Sequence, residues 1–206
     1  MSLERIPLFP LEVVLFPGAP LPLHIFEPRY KQMVRHCMEK GEVFGVVLAR
    51  SEGIAPAGCT AEIVQIVKKY EDGRMDILTM GQRIYHVVEV FDDKPYLEGA
   101  IEYLEDRPGP GNEETQKKLL ALYEQCHTVV YGRAPTSPEV QAGASLAYQI
   151  ASELPLDLDF KQELLELRAE SERQDALLER LTEWLPQLSY LERARGKAGG
   201  NGHGLA

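Results

Sequence analysis

Four polar side chains in this sequence could move protons or bind a charged ligand: His24, Glu27, Arg29 and Arg83. An imidazole exchanges protons near neutral pH, a carboxylate can accept them, and a guanidinium can hold an anion. A small-molecule enzyme that used these groups would need a pocket in which they converge. In the structural alternative, Glu27 caps a helix and pairs with an arginine, while His24 packs on the core. We favour this alternative and predict a buried ion pair between Glu27 and Arg83.

Metal and cofactor sites are not predicted. A zinc site would need ligands beyond His24 and Glu27, and the sequence has neither an H-E-x-x-H motif nor a C-x-x-C pair. The three cysteines, Cys37, Cys59 and Cys126, are odd in number and far apart, which is typical of reduced thiols in a cytoplasmic protein. We therefore expect no disulfide, no metal and no cofactor.

Nucleophilic catalysis and ATP hydrolysis are also not predicted. The sequence has no G-x-S-x-G elbow and no G-x-x-x-x-G-K-[ST] phosphate loop. The pairs His36-Cys37 and Cys126-His127 are consecutive on predicted helices, and consecutive helical residues do not face each other. We interpret them as core thiols beside surface imidazoles.

The segment from Arg5 to Tyr30 must position the polar cluster, and it contains six prolines among large apolar residues. Internal prolines exclude a helix and argue against a central strand. We predict short extended pieces, then a helix that begins with Pro28 at its first position. Most of the large side chains belong in a core, but any contiguous exposed part would suit unfolded or apolar peptide. These side chains are Phe9, Leu11, Phe16, Leu21, Leu23 and Phe26.

Three stretches of this segment closely resemble the start of the Lon N-terminal domain, the substrate-engaging module of Lon-type ATP-dependent proteases. They are Pro7-Leu-Phe-Pro-Leu11, Val14-Leu-Phe-Pro-Gly18 and Leu23-His-Ile-Phe-Glu-Pro-Arg-Tyr30. The resemblance continues weakly through Gly81-Gln-Arg83 and covers most of residues 4–190. It implies a PUA-like β domain followed by helices, without the ATPase and Ser-Lys protease domains of that family.

The first half of the chain is predicted to be mainly β. A helix over 28–40 ends at Gly41, and strands follow over 43–49, 60–70, 74–80, 83–90 and 96–104, with a loop at 51–58. Glu71-Asp-Gly73 predicts a hairpin turn, and Gly81 is expected to break a strand. With the extended pieces before the helix, about six strands and one early helix do not fit a parallel α/β sheet. We expect an antiparallel, closed pseudo-barrel.

After the Pro- and Gly-rich linker 106–112, the apolar period changes to that of helices. We predict helices over 113–131, from Ser137-Pro138 to Leu154, and over 160–167. A last helix carries the spacing Leu177 to Leu191, and Pro186 should kink or end it. The predicted class is α+β: a PUA-like antiparallel β pseudo-barrel followed by a C-terminal helical bundle. The predicted domains are 1–106 with one inserted helix, 107–195 as the helical bundle, and 196–206 as a disordered tail.

Charge and hydropathy narrow the choice of partners. Asp and Glu number 32 against 22 Lys and Arg, so the formal charge is −10, which opposes binding to phosphate backbones. No apolar run approaches the roughly 20 residues that cross a membrane. The N-terminus lacks the pattern of a signal peptide. We expect a cytoplasmic protein with neither nucleic acid nor membrane as partner.

These observations and the resemblance predict a non-catalytic module that binds unfolded or apolar polypeptide and delivers it to a separate ATPase-protease. Two alternatives stay open: a PUA-like RNA-binding protein, and a small-molecule enzyme that uses the polar cluster. The candidate binding or structural residues are Phe9, Leu11, Phe16, Leu21, Leu23, His24, Phe26, Glu27, Arg29, Tyr30 and Arg83.

Overall fold

A computed structural model describes residues 3–107, 109, 112–136 and 144–199, with side chains described as far as residue 190. It confirms the α+β class, with a six-stranded sheet and five helices. The elements in chain order are β1 Glu4–Leu11, β2 Pro20–Ile25, α1 Pro28–Lys40, β3 Phe44–Arg50, β4 Gly53–Lys69, β5 Met75–Phe91, β6 Glu98–Tyr103, α2 Glu113–Tyr131, α3 Leu146–Glu153, α4 Leu158–Glu166 and α5 Glu170–Gly199.

The chain forms two compact units. The first combines residues up to Asp106 with Ala151–Arg168, and the second combines Arg107–Ile150 with the chain from Ala169 onward. The domain boundaries predicted from the sequence stay predictions. The predicted cap at Ser137-Pro138 and residues 200–206 of the predicted tail lie outside the described residues.

The sheet of the first unit closes into a ring, because β5 pairs with β4 on one side and with β6 on the other. The strand order is β2-β5-β4-β3-β1-β6, so β2 is attached to β5 outside the ring. All pairs are antiparallel except β1 and β3, which run parallel. The expectation of a wholly antiparallel sheet was therefore wrong for this pair.

Strand β1 contains Pro7 and Pro10 and still lies between two strands, which corrects the prediction that this segment avoids central positions. The reason lies in its pairing: residues 4–7 pair with β6, whereas residues 8–11 pair with β3. Each half of β1 is therefore paired on one side only. A proline without an N–H costs a strand little where one side needs no hydrogen bond.

Strands β4 and β5 are longer than the sequence predicted. The expected loop at 51–58 is strand from Gly53 onward, and Gly81 lies within β5 instead of breaking it. The small residues of this part of β4 serve close packing, since a Cβ on Gly58 would lie 2.5 Å from the hydroxyl of Tyr85. Tyr85 is fully buried and donates its hydroxyl hydrogen to the carbonyl of Val46 at 3.1 Å.

Helix α1 and the β4–β5 hairpin agree with their predictions. Gly41 ends α1 in the left-handed conformation, and Gly73 takes a positive φ in the turn between the strands. Helix α1 buries its apolar stripe, including Met33, Val34 and Cys37, in a core cluster with Phe9, Phe44 and Ile77. This cluster fixes one face of β2, β5 and β4.

Helices α2 and α4 lie within two residues of their predicted spans, whereas α3 begins at Leu146, later than the start predicted at residues 137–138. Helix α5 continues through Pro186, which was expected to kink or end it near residue 185. In the second unit α2 packs against α5. In the first unit the Gln162 side chain of α4 donates to the carbonyl of Ala57 in β4 at 3.1 Å. None of the helices in the described ranges is long and apolar enough to cross a membrane.

Candidate polypeptide-binding surface

The part of the Pro-rich segment that connects β1 to β2 is held against β5 at Gly81. The N–H of Gly18 donates to the carbonyl of Gly81 at 2.9 Å, and the N–H of Gly81 donates to the carbonyl of Ala19 at 3.0 Å. A Cβ on Gly81 would lie 2.1 Å from the carbonyl oxygen of Phe16, which only glycine permits. Gly81 thus allows the segment to lie directly on the strand.

Most large side chains of this segment belong to the core. Phe9 and Phe16 are buried, and the Phe9 ring lies 4.1 Å from the ring of Tyr30. Leu11, Leu21 and Leu23 are half-buried and pack against the same core cluster. Phe26 is the exception, with 57% of its surface exposed. Among the predicted apolar residues, it is therefore Phe26 that is available to a partner.

An apolar surface exists nevertheless, on the face of β2 and β5 that points away from this core. Leu21, Leu23 and Ile25 alternate toward the core, so Pro20 and Pro22 face outward, where they pair in register with Met80 and Leu78. In β4, Ile63 and Ile66 pack on the core, and the residues that pair with Met80 and Leu78 are the polar Glu62 and Gln65. We call four residues of β2 and β5 the outer patch: Pro20, Pro22, Leu78 and Met80.

A polar and aromatic group lies along β2 and β5 beside the outer patch. The His24 Nδ1 atom lies 2.5 Å from a carboxylate oxygen of Asp76, and the Tyr70 hydroxyl donates to the other oxygen at 2.8 Å. The His24 ring stacks on Phe26 at 5.9 Å, and the ammonium of Lys68 lies 4.5 Å from the Tyr70 ring. His24 is thus exposed on the strand surface, which corrects the expectation that it packs on the core.

These hydrogen bonds hold Asp76 in its ionised form. The His24 side chain is the main cause, followed by the Tyr70 hydroxyl, and together they lower the pKa of Asp76 below its ordinary value. The described contacts of His24 are to a carboxylate and to aromatic rings. The geometry therefore gives this imidazole no Ser or Cys nucleophile to activate.

The predicted pair between Glu27 and Arg83 was wrong. The backbone of Glu27 caps α1, because its carbonyl accepts from Tyr30 and Lys31, while its carboxylate accepts from Arg29 at 2.8 Å. Arg83 pairs with Glu105 at 2.6 Å and lies over the Tyr103 ring. Both ion pairs are exposed, so each contributes about 1 kcal/mol or less instead of the several expected for a buried pair.

The four residues proposed for an enzyme site do not converge. His24 pairs with Asp76, whereas Arg83 lies seven residues further along the same strand, a span of roughly 23 Å. The thiols of Cys37, Cys59 and Cys126 are buried, which raises their pKa to about 11, about 12 and about 11. Throughout the described ranges, no His, Cys, Asp and Glu side chains form a group of three that could hold a metal ion.

The outer patch suits an extended apolar segment. Four apolar residues from two adjacent strands lie side by side in register, and a polar group lies at one end of them. Burial of such a strip against a partner contributes about 25 cal/mol per Å² of apolar surface. Reasoning from the sequence named Leu21 and Leu23 of β2, which pack against the core, and did not name Leu78 and Met80. The alternation in 74–80 was a usable signal, but only the strand register shows that these residues adjoin the prolines.

Comparison with known proteins relates the chain to one family. Residues 5–183 match the family described as the ATP-dependent protease La (LON) substrate-binding domain. The chain is 25% identical over 192 residues to the Lon protease of Parabacteroides distasonis, covering 85% of this chain and 23% of that protein. It is 26% identical over 196 residues to the Lon protease of Anaeromyxobacter dehalogenans, covering 85% of this chain and 23% of that protein. The chain thus spans about a quarter of the length of these curated relatives.

Solved structures show the same fold. A Lon N-terminal domain protein from Xanthomonas campestris is 27% identical with a TM-score of 0.68, and the match covers 89% of this chain and 99% of that one. The N-terminal domain of the Mycobacterium avium complex Lon protease is 14% identical with a TM-score of 0.61. The match covers 87% of this chain and 98% of that one. The second likeness bears on the fold alone.

Proposed function

Because this chain belongs to the LON substrate-binding domain family, whose model matches residues 5–183, we propose that it binds unfolded polypeptide on the outer patch. The observation that supports the proposal is the strip of exposed and half-exposed apolar side chains across β2 and β5. The ligand is a segment of unfolded or apolar chain, and the protein neither cleaves it nor hydrolyses ATP.

The chemistry of the patch accounts for weak and broad recognition. Pro20 and Pro22 hold a rigid backbone, so little conformational entropy is lost when a partner docks beside them. Leu78 and Met80 offer apolar area on a flat strand surface, so they select for hydrophobic character more than for one side chain. The net charge of −10 disfavours acidic segments at this patch and favours basic, apolar ones.

Single substitutions test the patch without a change of charge. We expect Leu78→Ser and Met80→Ser each to weaken binding of labelled, reduced and alkylated ribonuclease, a basic unfolded protein, by about fivefold. The matched control is Val88→Ser, because Val88 lies on the same strand β5 and is 51% exposed outside the patch. Fluorescence anisotropy measures the affinities. Equal binding by all three variants and the wild type would refute the proposed site.

Delivery to a separate ATPase-protease is the cellular role we propose for this binding. It predicts that the purified chain turns over neither ATP nor unfolded protein, but increases degradation of a bound polypeptide when the ATPase-protease from the same cell is added. The patch variant Met80→Ser should reduce this increase, and Val88→Ser should not. ATP hydrolysis that is lost on mutation of this chain's own residues would contradict the non-catalytic assignment.

A further inference from the structure

Part of β4 is a free strand edge. Pairing between β4 and β3 ends at Ala61, and residues 62–69 pair with β5 alone. No other strand in the described ranges pairs with the remaining edge of residues 62–69. Every second residue of such an edge directs its N–H and C=O away from the sheet, where they can pair with an added strand. The opposite edge, β2, contains Pro20 and Pro22 and offers fewer donors.

A groove runs along this free edge, between β4 and the exposed side of α1. It consists of two clefts of about 380 Å³ and about 420 Å³, and Met38 of α1 lines both. Met38 is 42% exposed, and Val64 lines the first cleft from the strand side. A strand placed beside β4 would therefore contact apolar side chains as well as backbone groups.

The end of the groove near the β4–β5 turn is basic. The cleft there is lined by three cationic side chains, Arg35, Lys69 and Arg74, and by one carboxylate, Glu39. Arg74 pairs with Asp72 at 2.6 Å. By contrast, no carboxylate in the described part of the chain lies within ion-pair distance of Arg35 or Lys69. Two cations without counter-ions face the groove, in a chain whose net charge is −10.

We propose that this groove binds a short extended segment of another protein by adding it as a strand to β4, with an acidic residue of that segment between Arg35 and Lys69. The backbone of residues 62–69 supplies hydrogen bonds, Met38 and Val64 supply apolar contact, and the two cations select the acidic residue. This preference is the opposite of the one expected for the outer patch, so the groove recognises a different class of segment.

The register shifts in β4 argue against a second copy of the chain as the occupant. Shifts occur between Ile63 and Gln65 and between Ile66 and Lys68. Such bulges increase local twist and oppose pairing with a long, flat edge from another molecule. A short segment that is also held by the groove is not subject to this constraint.

Peptide titration tests the proposal. The peptides have about eight residues, the span of 62–69, with alternating valine and threonine and two aspartates at the N-terminal or the C-terminal end. We expect at least one of the two to bind the full chain about tenfold more tightly than its twin with lysines in place of aspartates. N-methylation of alternate backbone amides should abolish binding, since it removes the donors for strand pairing. Equal affinities for the aspartate and lysine peptides would overturn the proposal.

Charge-reversal variants locate the site. The double variant Arg35→Glu/Lys69→Glu should weaken binding of the acidic peptide about tenfold or more, while Lys117→Glu/Lys118→Glu on α2 makes the same change in net charge and should leave it unaltered. Light scattering should show that the chain does not dimerise through this edge. If the chain forms a dimer and the double variant Arg35→Glu/Lys69→Glu disrupts it, the proposal is overturned in favour of self-association. Because reduced ribonuclease reports on the outer patch and the acidic peptide on the groove, either site can fail alone.

Discussion

The His24–Asp76 pair shows how a residue chosen for its chemistry can serve a surface instead. The spacing of His24 to Glu27 suggested acid–base catalysis. The partner of His24 is instead the carboxylate of Asp76, on another strand and 52 residues further along the chain. A single sequence does not indicate which carboxylate an imidazole will meet across a sheet, since that depends on strand register. The same reason explains the error over Arg83, whose partner Glu105 follows β6.

The lowered pKa of Asp76 predicts a pH-dependent contribution to stability. Because the pKa in the folded state lies below the unfolded value, the stabilisation is present above the ordinary pKa of aspartate and is lost as pH falls through the lowered value. We therefore expect Asp76→Asn to lower the unfolding midpoint at pH 7, and this difference to shrink as pH falls through the lowered pKa of Asp76. Thermal unfolding followed by circular dichroism measures the wild type and the variant across the acidic range and at pH 7. The same midpoint for both proteins at pH 7 would contradict the prediction.

At the scale of elements, the contact between the Pro-rich segment and β5 depends on Gly81. We expect Gly81→Ala to destabilise the first unit by about 1–3 kcal/mol or more, because the added Cβ would lie 2.1 Å from the Phe16 carbonyl oxygen. Gly109→Ala is the matched control, since a Cβ there meets nothing within 4 Å. Chemical denaturation measures both changes. Equal stability of the two variants would show that the segment can move away from the strand.

Elements with local signals were predicted well, and elements defined by distant partners were not. Helix α1 begins at Pro28 and ends before Gly41, and Gly73 forms the hairpin turn; each depends on neighbouring residues. The small residues at 53–58 were taken for a loop because their partner, the buried ring of Tyr85, lies on another strand. Likewise the free edge at 62–69 follows from where β3 ends, and no pattern within β4 marks it.

At the scale of the whole molecule, the charge of −10 predicts how salt affects binding. Apolar contact at the outer patch should make the affinity for reduced ribonuclease fall only about twofold to threefold between low and high salt. An interaction with RNA would lose affinity steeply with salt, because bound counter-ions would be released from the phosphates. Titration of the unfolded protein and of a single-stranded RNA at two salt concentrations separates these cases. Tight, strongly salt-sensitive RNA binding without polypeptide binding would favour the RNA-binding alternative.

The split pairing of β1 has a consequence for synthesis on the ribosome. Residues 4–7 emerge first, but their partners in β6, residues 98–101, are translated only after the rest of the ring. Until then the nascent chain exposes the apolar side chains of its first strand, and closure waits for a contact of very long sequence separation, which is slow to form. A translation product that stops before β6 would retain open edges on β1 and on the later part of β5, and such edges are templates for aggregation.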